Sequence, residues 1–185
     1  MNIFVGSASR NTNIKAYNKI ALDIAKYIVD GNHTYVFGGC NNGLMGRIYT
    51  YVSQHNCDIV ASGVECYKDE IVYLREKDEN VKATIADTVN ERKNNVIKAS
   101  DVLIFIPGGL GTLDELFACI ETRRAGEHNK PIYIVNTNGY YNYLLDMLNK
   151  IYAEGFASEE NRKEYKICES FEELKAELDL IAKNN

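Results

Sequence analysis

With 185 residues, 45% hydrophobic and 25% charged, the chain has the length and balance of a single globular domain with a sizeable core. Its net charge of -5 excludes the broad basic face that sequence-independent nucleic-acid binding requires. No apolar run approaches a membrane span, and residues 2–6 lack the leader pattern of a signal peptide, so a cytoplasmic location is expected.

The first predicted strand covers 3–5 and opens into a small-residue loop, Gly6-Ser7-Ala8-Ser9. Thr12 or Asn13 is placed to cap a helix whose apolar positions Ile14, Tyr17, Ile20, Ala21, Ile24 and Ile28 fall at helical spacing. Gly31 closes that helix as a C′ glycine. A strand over 34–37 then runs into Gly38-Gly39-Cys40-Asn41-Asn42-Gly43 and a helix over 44–55. A third strand follows at 58–64, a charged stretch at 65–80 reads as loop or short helix, and a fourth strand covers 81–85.

Thr88 and Glu91 have capping-box spacing. In the helix they open, Val89, Arg92, Lys93 and Val96 share a face, which puts two basic residues on the inward stripe. An inward arginine near a sheet edge calls for an anion. The apolar run 102–106 reads as a buried strand and ends at Pro107, which cannot donate to a sheet ladder. Gly108, Gly109 and Gly111 follow, then Thr112 and a helix with an expected core stripe of Leu113, Leu116, Phe117 and Ile120.

A strand, a glycine-rich turn and a helix N-terminus together make an anion site, because free backbone N–H groups and the helix dipole meet where glycine permits close approach. Gly108, Gly109, Gly111 and Thr112 are therefore the expected phosphate contacts. Glu115 lies one helical turn further on. A carboxylate repels phosphate, so Glu115 is expected to serve another part of the ligand. That points to a nucleotide held by its phosphate while chemistry occurs at the sugar.

The remaining elements are a strand at 131–135, an Asn138-Gly139 turn, a helix carrying Tyr141, Leu144, Leu145 and Leu148, a break at Gly155, and a short strand at 166–168. A second capping box, Ser170 with Glu173, opens the terminal helix. Strands alternate with helices throughout, which gives an α/β, doubly wound, Rossmann-like, mostly parallel sheet of six or seven strands in one domain over 1–185. Two glycine turns at the C-terminal edge of one parallel sheet would face a common crevice. Cys40, Cys57, Cys66, Cys119 and Cys168 are odd in number and widely spaced, and read as free thiols. With His33, His55 and His128 scattered, no metal site and no cofactor are expected.

Four segments carry a resemblance. Residues 107–115 match the pattern PGGxGTxxE, and Glu91-Arg92-Lys93 matches its upstream ERK element. Residues 38–46 are similar to GGGxxGLMG, and residues 128–131 to HxKP. Together they resemble the LOG ("lonely guy") family of nucleoside 5′-monophosphate phosphoribohydrolases, long mislabelled as lysine decarboxylases. The resemblance implies hydrolysis of the N-glycosidic bond of a cytokinin riboside 5′-monophosphate or AMP-like nucleotide to free base and ribose 5-phosphate. It implies Arg92 and Glu115 as the catalytic pair, and Lys93, Ser7, Gly38, Gly39, Gly43 and Met45 as substrate contacts. It also implies a homodimer, with apolar residues of the helices 44–55 and 113–124 available for the interface.

The chain departs from the family pattern at Val89, where methionine is usual, at Glu121-Thr122, where Thr-Trp is frequent, and in 65–80, which lacks the usual proline-containing loop. These positions flank the expected base and ribose, so the resemblance carries the reaction type and leaves the base open. A nucleotide-binding sensor without turnover is the alternative. A pyridoxal-phosphate decarboxylase is not expected, since the chain is short for that class and no lysine has a recognisable Schiff-base context.

Overall fold

The computed structural model describes residues 1–70 and 80–183. Seven strands form one sheet: β1 (Asn2–Gly6), β2 (Thr34–Phe37), β3 (Ile59–Val64), β4 (Val81–Ala86), β5 (Val102–Phe105), β6 (Ile132–Val135) and β7 (Lys166–Cys168). The spatial order is β4-β3-β2-β1-β5-β6-β7, and every pairing is parallel. Parallel strands need crossovers, and the helices supply them: α1 (Lys15–Asp30), α2 (Gly43–Ser53), α3 (Val89–Ala99), α4 (Leu110–Arg124), α5 (Asn142–Ala153) and α6 (Phe171–Lys183).

Strand alternation divides the core into two layers. On one face Ile3, Val5, Val102 and Ile104 pack with residues of α1, α2 and α6. On the other, Phe4, Leu103 and Phe105 pack with residues of α3, α4 and α5. The chain steps outward from β1 to β4, then returns to pair β5 against β1, with Gly6 opposite Phe105. That reversal opens a crevice beyond the carboxyl ends of β1 and β5.

Several local expectations are corrected. Neither Thr12 nor Asn13 caps α1: Ile14 is the N-cap residue, without a side-chain cap, and is largely exposed. Thr12 Oγ1 instead accepts from the Ile14 N–H. Gly31 is not left-handed (φ -89°), and Asn32 takes that role with φ 48°. Glycine at 31 answers a different need, since a Cβ there would run into the His33 ring. Both capping boxes reach one residue further back than expected. Glu91 accepts from the Asp87 N–H at 3.0 Å, and Glu173 from the Glu169 N–H at 2.9 Å. Val89 is exposed rather than inward.

The largest correction is the rotation of α4. Its buried positions are Thr112, Glu115, Leu116 and Cys119, while Phe117 is 42% exposed. The helix turns its polar Thr112–Glu115 edge inward because Glu115 meets a buried partner there. The apolar residues Leu44, Met45, Ile48, Tyr49 and Val52 of α2 are likewise consumed by the core, and so do not form an outer interface. Of the charged 65–80 stretch, Glu65–Glu70 is a 3-10 helix, and residues 71–79 lie outside those described. No helix among the described residues is long and apolar enough to cross a membrane.

Candidate functional site

Three loops meet at the carboxyl edge of the sheet, those following β1, β2 and β5. A single residue joins them. The Ala8 N–H donates to Pro107 O at 3.2 Å, and Ala8 O accepts from the Met45 N–H at 3.2 Å. The β1 loop thereby holds both glycine turns in register. Asn11 adds a further tie, its Oδ1 accepting from the Gly43 N–H at 3.3 Å. The loops enclose a cleft of about 690 Å³. Ser7, Gly38, Cys40 and Met45 line it, together with Arg92 of α3 and with Gly109, Gly111, Thr112 and Glu115 at the start of α4.

Arg92 on α3 and Glu115 on α4 form an ion pair, Nη2 to Oε1, at 2.5 Å. Arg92 Nε also donates to Ser62 O on β3 at 3.1 Å, which fixes the plane of the guanidinium. The side chains are only 15% and 9% exposed. Burial pushes the Glu115 carboxyl above its ordinary value, and the Arg92 charge and hydrogen bond oppose that shift without overcoming it. The site therefore holds a carboxylate that is costly to ionise, beside the cation that makes ionisation tolerable.

The glycines divide by cause. A Cβ at Gly38 would collide with Arg92 Nη2, one at Gly108 with the Thr112 hydroxyl, and one at Gly43 with Ala8 O and Arg10 O. Gly43 also sits at φ 64°, a left-handed conformation. These three are explained by the protein itself. Gly109 and Gly111 are not. A Cβ at either would meet no atom within 4 Å, neither has positive φ, and both are exposed on the cleft side of the α4 N-terminus. Gly109 is the N-cap residue, where glycine is tolerated, but Gly111 lies in the first turn of the helix, where glycine costs stability, so the open space there points to something that approaches this backbone from the cleft. Gly111→Ala is expected to stabilise the unliganded protein by about 0.5–1 kcal/mol, the usual glycine-to-alanine difference in a helix. It is expected to weaken nucleotide binding at the same time. Denaturant titration together with calorimetric AMP binding checks both signs.

The structure places the other expected residues as follows. Ser7 is 3% exposed and lines the cleft, and its buried hydroxyl has no hydrogen-bond partner. Gly39 has φ 89° and shapes the β2 turn. Gly43 is on the wall of a separate groove between α1 and α2. Lys93 is not at the cleft: its Nζ binds both Asp114 carboxylate oxygens at 2.9 and 3.0 Å. His128, of the HxKP segment, braces the far end of α4, with Nε2 at 3.1 Å from Cys119 O. All five cysteines are free, and no group of three or more His, Cys, Asp or Glu among the described residues is placed to hold a metal ion.

Sequence reasoning missed three contributors. Tyr141 donates its hydroxyl to Ile106 O at 2.8 Å, and Tyr140 donates to Gly108 O, so two tyrosines prop the turn that launches α4. The left-handed pair Asn138 and Gly139 (φ 56° and 68°) delivers them, and that dipeptide was the available signal. Arg10 also lines the cleft, and nothing in its sequence context marks it.

The family model described as possible lysine decarboxylase matches residues 43–178. The chain is 32% identical over 179 residues to the probable cytokinin riboside 5′-monophosphate phosphoribohydrolase LOG4 of Oryza sativa subsp. japonica, covering 95% of this chain and 75% of that one. It is 35% identical over 156 residues to the cytokinin riboside 5′-monophosphate phosphoribohydrolase LOG1 of Arabidopsis thaliana, covering 84% and 71%. Among solved structures, a molybdenum cofactor binding protein from Rippkaea orientalis superposes with a TM-score of 0.66 at 18% identity, covering 98% and 96%. The Moco carrier protein of Chlamydomonas reinhardtii gives 0.68 at 14%, covering 100% and 98%. At such identities these two likenesses concern the fold alone. With Arg92, Gly109, Gly111, Thr112 and Glu115 of the motifs lining one cleft and relatives aligned over most of its length, the chain belongs to the LOG family.

Proposed function

We propose that this protein is a nucleoside 5′-monophosphate phosphoribohydrolase, cleaving the N-glycosidic bond of a cytokinin riboside 5′-monophosphate or an AMP-like nucleotide. The observation that carries the reading is the buried Arg92–Glu115 pair in a cleft that the open, glycine-faced N-terminus of α4 also lines.

The reaction follows from that arrangement. The 5′-phosphate lies at the α4 N-terminus, against the N–H groups of the first turn and the Thr112 hydroxyl. Anchoring it fixes the sugar, so remote binding energy serves the reacting centre. As the glycosidic bond breaks, its electron pair leaves with the base and positive charge builds on the ribose ring. The Glu115 carboxylate stabilises that charge and accepts a proton from the water that adds to C1′; that proton passes on to the departing base nitrogen, which completes the free base and restores the carboxylate. Arg92 keeps Glu115 ionised and oriented.

A decarboxylase reading would require pyridoxal phosphate and a lysine to hold it. The residues present do not fit that group. The described cleft lining contains no lysine, Lys93 Nζ is committed to Asp114, and Lys130 Nζ to the carbonyls of Ile97 and Lys98. A homodimer is part of the proposal. On one side of the sheet α4 leaves Leu110 and Phe117 exposed, and α5 leaves Tyr143 and Met147 exposed, apolar surface suited to a second copy.

The test is incubation of the purified protein with AMP, CMP, GMP and N6-isopentenyl-AMP, following free base and ribose 5-phosphate by chromatography, with light scattering for the mass in solution. Base release from at least one nucleotide is expected. Nucleotide binding with no release from any of them makes the protein a sensor and overturns the enzymatic reading.

A further inference from the structure

The cleft as described has an unbalanced charge. A nucleotide 5′-phosphate is close to dianionic, yet the two basic residues of the ERK element are both neutralised. Arg92 is paired with Glu115 and Lys93 with Asp114. Among the described residues lining the cleft, the remaining cation is Arg10, in the loop after β1. It is exposed, and no ion pair or hydrogen bond engages its side chain.

Its position is set by the backbone rather than by any contact of its own. Ala8, two residues earlier, is bonded to Pro107 O and to the Met45 N–H, and the Arg10 carbonyl packs against Gly43. The guanidinium is thus tethered at the mouth of the same cleft that holds the open α4 N-terminus. A second feature of this loop points to a ligand independently. Ser7, 97% buried, lines the cleft, and its hydroxyl finds no partner in the protein. A buried hydroxyl without a partner is costly and needs an explanation. An anionic oxygen bound between the β1 loop and the α4 N-terminus would satisfy the Ser7 hydroxyl and the Arg10 charge together.

We propose that Arg10 is the phosphate-recognising cation of this site, closing over the 5′-phosphate from the β1 loop while Ser7 and the α4 N-terminus hold it from beneath. The inference rests on the nucleotide reading given above and deepens it. Arginine suits the task because its planar donors match two phosphate oxygens at once and its charge never titrates away. Arg10 then selects for the phosphorylated ligand and takes no part in bond cleavage.

The experiment compares wild type, Arg10→Ala and Arg10→Lys with AMP and with adenosine. Arg10→Ala is expected to raise KM for AMP at least tenfold while kcat changes less than threefold. Arg10→Lys, which keeps the charge but loses the fork, is expected to fall between. Adenosine, lacking the phosphate, is expected to respond equally in all three. An unchanged KM for AMP overturns the proposal, as does an equal loss with adenosine. Calorimetric binding of AMP and of inorganic phosphate to the same variants in a Glu115→Gln background separates this inference from the reaction. If wild type releases no base, the catalytic reading falls, while a tenfold loss of AMP affinity in Arg10→Ala still upholds the role of Arg10 and an unchanged affinity removes it. The Arg10 side chain is exposed and makes no hydrogen bond or ion pair, so its variants are expected to melt as wild type does.

Discussion

Glu115→Gln is expected to lower base release by about two to four orders of magnitude, the usual range for a positioned acid–base group. The amide keeps the shape of the side chain and can still accept a hydrogen bond from Arg92, so KM is expected to move little. The rate falls because a neutral amide neither stabilises a developing cation nor accepts a proton from water. Single-turnover chromatography of wild type and variant on AMP measures it, and a rate within tenfold of wild type would remove Glu115 from the chemistry.

The same substitution alters the pH dependence of stability. Burial raises the Glu115 pKa in the folded protein above its value of 4.5 in the open chain. The native state therefore holds this proton more tightly than the unfolded state does. The stabilisation this provides is full below the unfolded pKa and is lost as pH climbs through the raised folded value. Denaturant titrations across the acid range are expected to show wild type losing stability with rising pH over that window, relative to Glu115→Gln. The acid limb of the rate profile is expected to lie above 4.5 for the same reason, since the ionised form is the active one.

The second large effect belongs to Arg92. Arg92→Ala leaves the carboxylate without its ion-pair partner, and breaking a buried pair from one side typically costs about 3–5 kcal/mol. Because Arg92 is what opposes the raised pKa of Glu115, its loss is expected to drive the acid limb of the rate profile further upward and to lower the rate about a hundredfold or more near neutrality. Gly38→Ala is the control that separates chemistry from folding. Its Cβ collides with the tip of Arg92, a flexible side-chain end, rather than with backbone. The fold is expected to survive while the guanidinium is pushed off Glu115. Reduced turnover with near-normal denaturation in Gly38→Ala would establish that the placement of Arg92 matters as well as its presence. Full activity would show that the collision is absorbed without disturbing the pair.

Most of the framework could be read from the sequence, for definite reasons. The inner strands β5 and β6 are uninterrupted apolar runs because both faces of a parallel sheet are covered there. The glycine turns stand out because a strand–turn–helix junction at a sheet edge constrains few other residues. The rotation of α4 was not legible. The periodicity argument sends apolar residues inward, and here an ion pair with Arg92 draws Glu115 inward and leaves Phe117 outside. The handedness of the α1 terminus was misassigned because glycine at 31 is required by the His33 ring, a contact created only when the chain folds back. Tyr140 and Tyr141 look like two more aromatics of an amphipathic helix, and only the fold brings their hydroxyls under the turn. Arg10 is an exposed arginine in a loop, and its meaning depends on which other cations are already matched.

The order of the sheet has a consequence for how the molecule comes alive. Strands β1 to β4 and helix α3 come from the first hundred residues, while β5 to β7 and α4 come from the rest. The two portions are joined along the seam between β1 and β5, and the Ala8 peptide rivets them at its mouth. Arg92 is delivered by the earlier portion and Glu115 by the later. Neither portion holds the pair by itself, so each of these charged residues finds its mate only in the other portion. The β1–β5 pairing that completes the sheet is thus also the one that brings the buried charges together.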